Sequence, residues 1–296
     1  MKLYHSFTHF IQDASDRLQH QSYLVHPATW QSIDVSKKPE MATSEILNYS
    51  GSVYMPTTDL KYYQENVKPN LPWADEHFER ERVSGEPINP GVTWKTWPWG
   101  NSADKFRTEG EQFSHSYAER YWPKFAGTTP GGRINDSHFR EGSRKVPSFA
   151  ELPRSGMYNK GIRYYYGDLN DVINHLLDNP LSRQAYLPVW FPEDTGVVHK
   201  ERVPCSLGYQ FIRRGTNLHI NYWLRSCDFY RHFRDDIYLT VRLLLMVLER
   251  LQGQSDDWRD VQPGLYSMWI TSLHCFSNDF RVLFHTDPPV QKLTRY

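Results

Sequence analysis

The sequence predicts an α+β chain. Two amphipathic helices and one long β-hairpin carry that prediction, and they follow one another without the strand-helix-strand rhythm of a parallel α/β sheet. In the hairpin, Leu207–Arg213 and Asn217–Leu224 flank a turn at Arg214-Gly215. Leu218, Ile220, Tyr222 and Leu224 alternate there with His219, Asn221 and Trp223, the period of a half-buried strand.

The other elements can be taken in order. Residues 1–40 are polar and mixed, with no sustained period, and are expected to form an irregular or short helical N-terminal arm. From Glu45 to Met55 the chain is strand-like with a break at Gly51, and Thr58 to Glu81 has room for helix. Pro87 to Gly100 is dense in Trp, Pro and Gly, which suits an ordered loop able to wall a flat ligand. Residues 126–161 hold many turn-formers and almost no periodicity, and read as a long surface insertion within the domain of residues 41–296. Leu169, Val172, Ile173, Leu176 and Leu177 then mark a helix, stopped by Asn179-Pro180. Ala185 to Phe191 is a strand candidate ahead of an acidic turn at Glu193-Asp194. After the hairpin, Ile237, Val241, Leu244, Leu245, Leu248 and Leu251 give a second helix whose wide apolar face requires deep burial. Tyr266 to Thr271 is a last strand.

Composition narrows the function. The 296 residues, 39% apolar and 15% aromatic, suffice for a sizeable core. Lys plus Arg and Asp plus Glu balance at 34 each, so no positive field argues for nucleic acid or membrane, and small molecules are the expected partners. The first residues lack the apolar region of a secretory signal and no run approaches a membrane span, so a cytoplasmic location is expected, the host cytoplasm for a phage protein. Three cysteines, Cys205, Cys227 and Cys275, are too few for a disulfide framework. With His274 they lack the C-x-x-C or H-x-x-x-H spacing of a zinc site, so no metal is expected.

The hairpin also brings chemistry together. Returning the chain through it places Arg225 near Cys205, and a cation beside a thiol lowers its pKa from the free value of roughly 8.5. Cys205 is therefore the candidate nucleophile, with Arg225 and Arg183 as anion ligands, Asp228 and Asp236 as polar recognisers and His274 as a further candidate. Taken singly, each has an ordinary alternative: a lone cysteine is more often buried than reactive, and an Arg or Asp is usually a solvated surface charge.

Four ordered motifs add to that reading. Ser182-Arg183-Gln184, Pro204-Cys205 followed by Tyr209-Gln210-Phe211, Arg225-Ser226-Cys227-Asp228, and Ser272-Leu273-His274-Cys275-Phe276-Ser277 together resemble the thymidylate synthase superfamily from about Glu45 onward. The resemblance implies that family's fold, a large mixed sheet packed with helices and a sheet-mediated homodimer. It makes residues 41–296 the catalytic domain. Phe233-Arg234-Asp235-Asp236 and Trp269 with Ser272-Leu273-His274 are more similar to the phage deoxycytidylate hydroxymethylases. Thymidylate synthases carry asparagine where Asp236 stands. An aspartate there can accept from the C4 amino group of cytosine and share a proton with N3.

The activity so implied is transfer of a one-carbon unit from 5,10-methylenetetrahydrofolate to C5 of a cytidine monophosphate, through covalent addition of Cys205 at C6. Water completes a hydroxymethyl group, and hydride would complete a methyl group. By resemblance, Arg225 and Ser226 bind the 5′-phosphate, Arg183 reaches the phosphate in the partner subunit, Gln210 supports the nucleotide and His274 holds the 3′-hydroxyl. Tyr117 sits beside the C5 proton, Glu79 organises water and proton transfer with Glu81 as its alternative, and Trp94, Trp97 and Asp228 surround the folate. The sequence departs from the family at Gln184, at Phe276, at Arg231-His232 on the pterin side, and in the tail Gln291 to Tyr296. C5 methylation of dCMP or dUMP, a catalytically silent nucleotide-binding relative, and a papain-like hydrolase using Cys205 and His274 are the competing readings. Phage DNA modification and nucleoside-antibiotic synthesis both suit a cytosine-directed member.

Overall fold

A computed structural model describes residues 1–30, 33–107, 111–123, 167–195 and 202–289. The expected insertion at 126–161 and the tail from Gln291 lie outside them. Among the described residues a seven-stranded mixed sheet organises the chain. Its strands are β1 (Lys2–Tyr4), β2 (Tyr23–Val25), β5 (Thr43–Tyr54), β6 (Tyr186–Pro188), β7 (Ser206–Arg214), β8 (Asn217–Asp228) and β9 (Gln262–Phe276), while β3 (Thr29–Trp30) and β4 (Ile33–Asp34) form a separate two-stranded ribbon. The order is β1-β5-β9-β8-β7-β6, with β2 also on β5; β1 pairs β5 and β8 pairs β9 in parallel, and the other neighbours are antiparallel.

The hairpin forms as its alternation requires. Leu218, Ile220, Tyr222 and Leu224 are buried and the intervening residues are not, with Gly215 supplying the positive φ of the turn. The two helices expected on the 3.6 period are α6 (Leu169–Asp178) and α7 (Phe233–Gln252). In α6, Asp168 and Asp171 make a reciprocal capping box that fixes its start. In α7 thirteen residues are buried, which anchors it across the sheet at about 1.5–3 kcal/mol for each large apolar side chain.

Several expectations need correction. The N-terminal segment is no peripheral arm: α1 (Phe7–Gln21) buries Phe7, Phe10, Ile11, Ala14 and Leu18 in the main core, and β1 and β2 join the sheet. Those five positions do follow helical spacing, but the intervening His, Gln and Asp residues dilute the signal. Strand β5 runs unbroken through Gly51, where a Cβ would overlap the rings of Tyr4 and Phe10. The strand expected at Ala185–Phe191 shrinks to β6, because regular pairing with β7 covers only Tyr186–Pro188 and beyond it Val189 N and Trp190 N both converge on Leu207 O. Thr58–Glu81 divides into α2 (Leu60–Val67), α3 (Trp73–His77) and a π turn at Phe78–Arg82. Strand β9 extends to Phe276, so the Ser272–Ser277 motif lies in the sheet except for Ser277, which starts the helix that follows.

Helices α1 and α7 pack against the sheet. Leu47, Tyr54, Tyr186 and Trp269 project exposed from strands β5, β6 and β9. No helix among the described residues is long and apolar enough to cross a membrane.

Candidate active site

The cysteine cavity opens where the hairpin meets the first turn of α7. It encloses about 180 Å³ and brings together Cys205, Tyr117, Ser226, Asp228, Asp236, Trp94 and Trp97, seven of the residues singled out in the sequence. Cys205 immediately precedes β7. Arg225 leaves β8 beside it: its Nε donates to Pro204 O at 2.8 Å, Nη2 to Val203 O at 3.1 Å, and Nη2 lies 3.9 Å from the Cys205 Sγ. The hairpin thus does bring the cation to the thiol.

Asp236 occupies the first turn of α7, where protein packs around most of it and the cavity reaches the rest. Burial pushes its carboxyl up to about 7, against the opposing pull of the Arg82 charge and hydrogen bonds from Cys227 and Tyr222. The Cys227 thiol is 3.4 Å from Oδ2. Asp228 is likewise raised to about 7 by burial, partly countered by Arg231, while its Oδ1 accepts from the backbone N–H groups of Tyr230 and Arg231. Two carboxyls near neutrality therefore share one cavity, a recurrent property of sites that move protons.

Tyr117 starts α5 (Tyr117–Tyr121), whose cap is a reciprocal Ser116–Glu119 box. A buried bidentate pair, Arg120 to Asp194 at 2.7 and 2.8 Å, fastens that short helix to the turn before the hairpin. The Tyr117 hydroxyl lies 2.9 Å from Ser206 Oγ, and burial followed by the nearby Cys205 and Asp236 raises its pKa.

The two glutamates on the π turn part company. Glu79 does not reach the cavity; its side chain is 65% exposed, accepts from Arg242 Nη2 at 2.7 Å and lines a separate groove with Thr58 and Leu245. Glu81 is buried: Oε1 accepts from Thr93 N at 2.7 Å and Oε2 meets His77 Nδ1 at 2.9 Å. Residues two apart on a helical turn point away from each other, which explains the split. Burial alone would raise the Glu81 pKa, but the His77 and Thr93 contacts outweigh it and leave it below the ordinary value.

The opposite wall is aromatic. Trp97 stacks on His232 with centroids 4.8 Å apart, and Trp73 stacks on His77 at 4.9 Å. Burial, then the positive charges around it, lowers the His232 pKa to about 3, so its ring is neutral. The sequence had marked His232 only as a departure. Trp73, His77, Arg82 and Arg202 also line the cavity and were not anticipated. Arg82 sits in a charged Glu-Arg-Glu-Arg run indistinguishable from a solvated face, and no spacing ties any of the four to Cys205.

Besides Glu79, three further expected residues lie elsewhere. Gln210 is on the sheet face opposite buried Tyr209 and Phe211, and its amide donates to Arg183 O at 2.9 Å; Arg183 itself is exposed. His274 is on β9 opposite Asp228, with its ring edge against Phe276, and burial lowers its pKa.

A thiol, two near-neutral carboxyls and an aromatic wall at the end of a mixed sheet define a nucleophile-bearing site for a flat, polar-edged small molecule. The chain belongs to the thymidylate synthase family, whose model matches residues 93–283. It is 28% identical over 127 residues to a putative thymidylate synthase of Methanosarcina mazei, covering 42% of this chain and 54% of that protein. To a putative thymidylate synthase of Methanosarcina acetivorans it is 26% identical over 148 residues, or 46% and 63%. The chain thus spans little more than half the length of these relatives. The thermostable thymidylate synthase A from Bacillus subtilis shares the fold, with a TM-score of 0.59 at 12% identity over 96% of this chain and 86% of that one.

Proposed function

We propose that this protein transfers a one-carbon unit to C5 of a cytidine monophosphate, leaving a hydroxymethyl group. The observation that carries the reading is Asp236, a buried carboxyl with a pKa near 7 in the same cavity as Cys205. Addition of the Cys205 thiolate at C6 pushes negative charge toward N3 of the base. In cytosine N3 carries no proton, and Asp236 has one to give; its other oxygen accepts from the C4 amino group. An asparagine could pair with the same edge but could not deliver a proton, and uracil already carries one at N3.

The donor implied by the family, 5,10-methylenetetrahydrofolate, would supply a carbon at the oxidation level of formaldehyde. The residues fit a flat heteroaromatic group: Trp94 and Trp97 offer ring surfaces, and the Trp73 indole N–H is buried without a partner among the described residues. Asp228 is the carboxyl on that side. Tyr117 meets the C5 proton, and Glu81, through His77, takes the water-organising role in place of Glu79. Arg225 and Ser226 hold the phosphate, Arg225 through the guanidinium N–H groups beyond its bonds to Pro204 O and Val203 O. His274 serves the sugar. Exposed Arg183, held by Gln210, is positioned for the partner subunit. Two copies pair through the exposed sheet residues Leu47, Tyr186 and Trp269. C5 methylation is the second reading, favoured by the putative thymidylate synthases among the relatives.

The test is incubation with methylenetetrahydrofolate and dCMP, CMP or dUMP, followed by mass spectrometry of the nucleotide. A cytosine product heavier by CH2O is expected, one heavier by CH2 selects methylation, and no adduct on any nucleotide sinks the proposal. Asp236→Asn is expected to move base preference toward uracil by about 10- to 100-fold.

A further inference from the structure

The residue after the nucleophile, Ser206, is turned inward by a β-bulge: Ser206 faces Leu224 while Gly208 faces Trp223, so Leu207 is the extra residue. That shift puts Ser206 on the buried side with Tyr209 and Tyr222. Its Oγ lies 2.9 Å from the Tyr117 hydroxyl and 2.5 Å from the Tyr222 hydroxyl, and Ser206 and Tyr222 are 0% and 1% exposed. Tyr222 in turn lies near enough to the Asp236 carboxyl to favour its ionised form and lower its pKa. Four side chains from α5, β7, β8 and α7 therefore make one chain of exchangeable protons running beneath Cys205.

We propose that this chain, Tyr117–Ser206–Tyr222–Asp236, carries the proton released from C5 to the Asp236 carboxylate, so that the group that protonates N3 is reloaded by the C5 proton. The proposal rests on the reading of the cavity as a pyrimidine nucleotide site. The protons balance when the departing tetrahydrofolate amine takes up the proton that N3 gives back as the product ring is restored. Asp236 gives its proton to N3 as the thiolate bonds to C6. When the C5–H bond breaks, its electron pair stays on the ring and the proton goes to the Tyr117 oxygen. Tyr117 passes its own proton to Ser206, Ser206 passes one to Tyr222, and Tyr222 passes one to Asp236. No phenolate needs to accumulate, which matters because burial raises the pKa of both tyrosines. The middle of the chain, Ser206 and Tyr222, is buried, and short hydroxyl contacts there polarise one another. The charged and titratable groups facing Asp236 are Arg82 from the π turn, Cys227 and Tyr222 from β8, Asp235 from α7, Tyr117 from α5 and Tyr266 from β9. The Arg82 guanidinium, 4.2 Å over the Tyr117 ring, is the cation that can balance negative charge at either end.

Tyr222→Phe, Ser206→Ala and Tyr117→Phe each delete one hydroxyl and almost no volume. Two measurements test the chain. In the protein without folate, carbon NMR of labelled aspartate is expected to show Asp236 titrating higher in Tyr222→Phe than in the wild type, because a donor to its ionised form is gone; an unmoved titration overturns the link. With donor present, tritium release from C5-labelled dCMP is expected to fall by about 10²-fold in each variant. The curved proton inventory of the wild type should become linear, and dCMP affinity should stay within about 3-fold. Variants that keep the rate or the curvature overturn the relay. Wild-type protein that binds dCMP without releasing tritium overturns the relay and spares the nucleotide reading, whereas protein that binds no pyrimidine nucleotide overturns both.

Discussion

One wall of the cysteine cavity is cut from the hairpin and the first turn of α7, and the other from the short helical turns between Trp73 and Tyr117. On the first wall, backbone pairing sets each side chain: Ser206 faces Leu224 and Asp228 faces His274 because the strand register leaves no other choice. On the second, Trp73, His77, Trp94 and Trp97 are held by ring stacking and by side-chain bonds such as His77 to Glu81. A sheet fixes position through many cooperative backbone bonds, whereas the aromatic wall depends on a few side chains fitting one another. Under the proposed function the covalent chemistry falls on the rigid wall, and the adaptable wall faces the second substrate.

That contrast can be broken most sharply at the nucleophile. Cys205→Ser is expected to lower turnover by more than about 10³-fold while nucleotide still binds, as measured by steady-state kinetics and calorimetry. The next largest effect separates the two glutamates. Glu81→Gln should reduce kcat by about 10²-fold, in the range of one acid–base group, while Glu79→Gln leaves kcat within about 2-fold, since that side chain meets only Arg242 in its own groove. Equal losses in the two variants would remove the distinction. On the aromatic wall, Trp97→Ala should raise the KM for folate by about 10-fold with little change in nucleotide affinity, because stacking surface is lost on one side only.

The smallest expected effect is on stability. Asp236 has a folded pKa of about 7 against the ordinary 3.8, so the folded state holds this proton more tightly than the unfolded state does. The stability it contributes is complete below about pH 4 and is lost as pH rises through 7. Asp236→Asn removes that loss: the melting temperature of the variant relative to the wild type should be higher at pH 8 than at pH 4, by several degrees or more. Thermal scans at the two pH values would show it.

Legibility followed the same division. The hairpin, α6 and α7 were readable because period-two and 3.6 patterns report burial directly, and the approach of Arg225 to Cys205 followed from the hairpin alone. Helix α1 escaped because its core face is short and set among polar residues, although its helical spacing is present. The strand expected across Ala185–Phe191 is shorter for a different reason, since Val189 and Trp190 share one acceptor at the Leu207 bulge and the ladder ends there. Glu79 was preferred to Glu81 because nothing local separates two glutamates in one charged run; only the path of the π turn turns one toward Arg242 and the other toward His77.

By itself the sequence determined the order of the main elements, the inward face of each periodic segment and the motifs around Cys205, Arg225 and Asp236, since these depend on residue type and near-neighbour spacing. The tertiary structure alone decided which glutamate lies beside the cavity, the raised pKa of Asp236 and the inward turn of Ser206 at the bulge. Each of these depends on burial or on contact between segments far apart in the chain. Desolvation and register are properties of the packed molecule, and no local pattern encodes them.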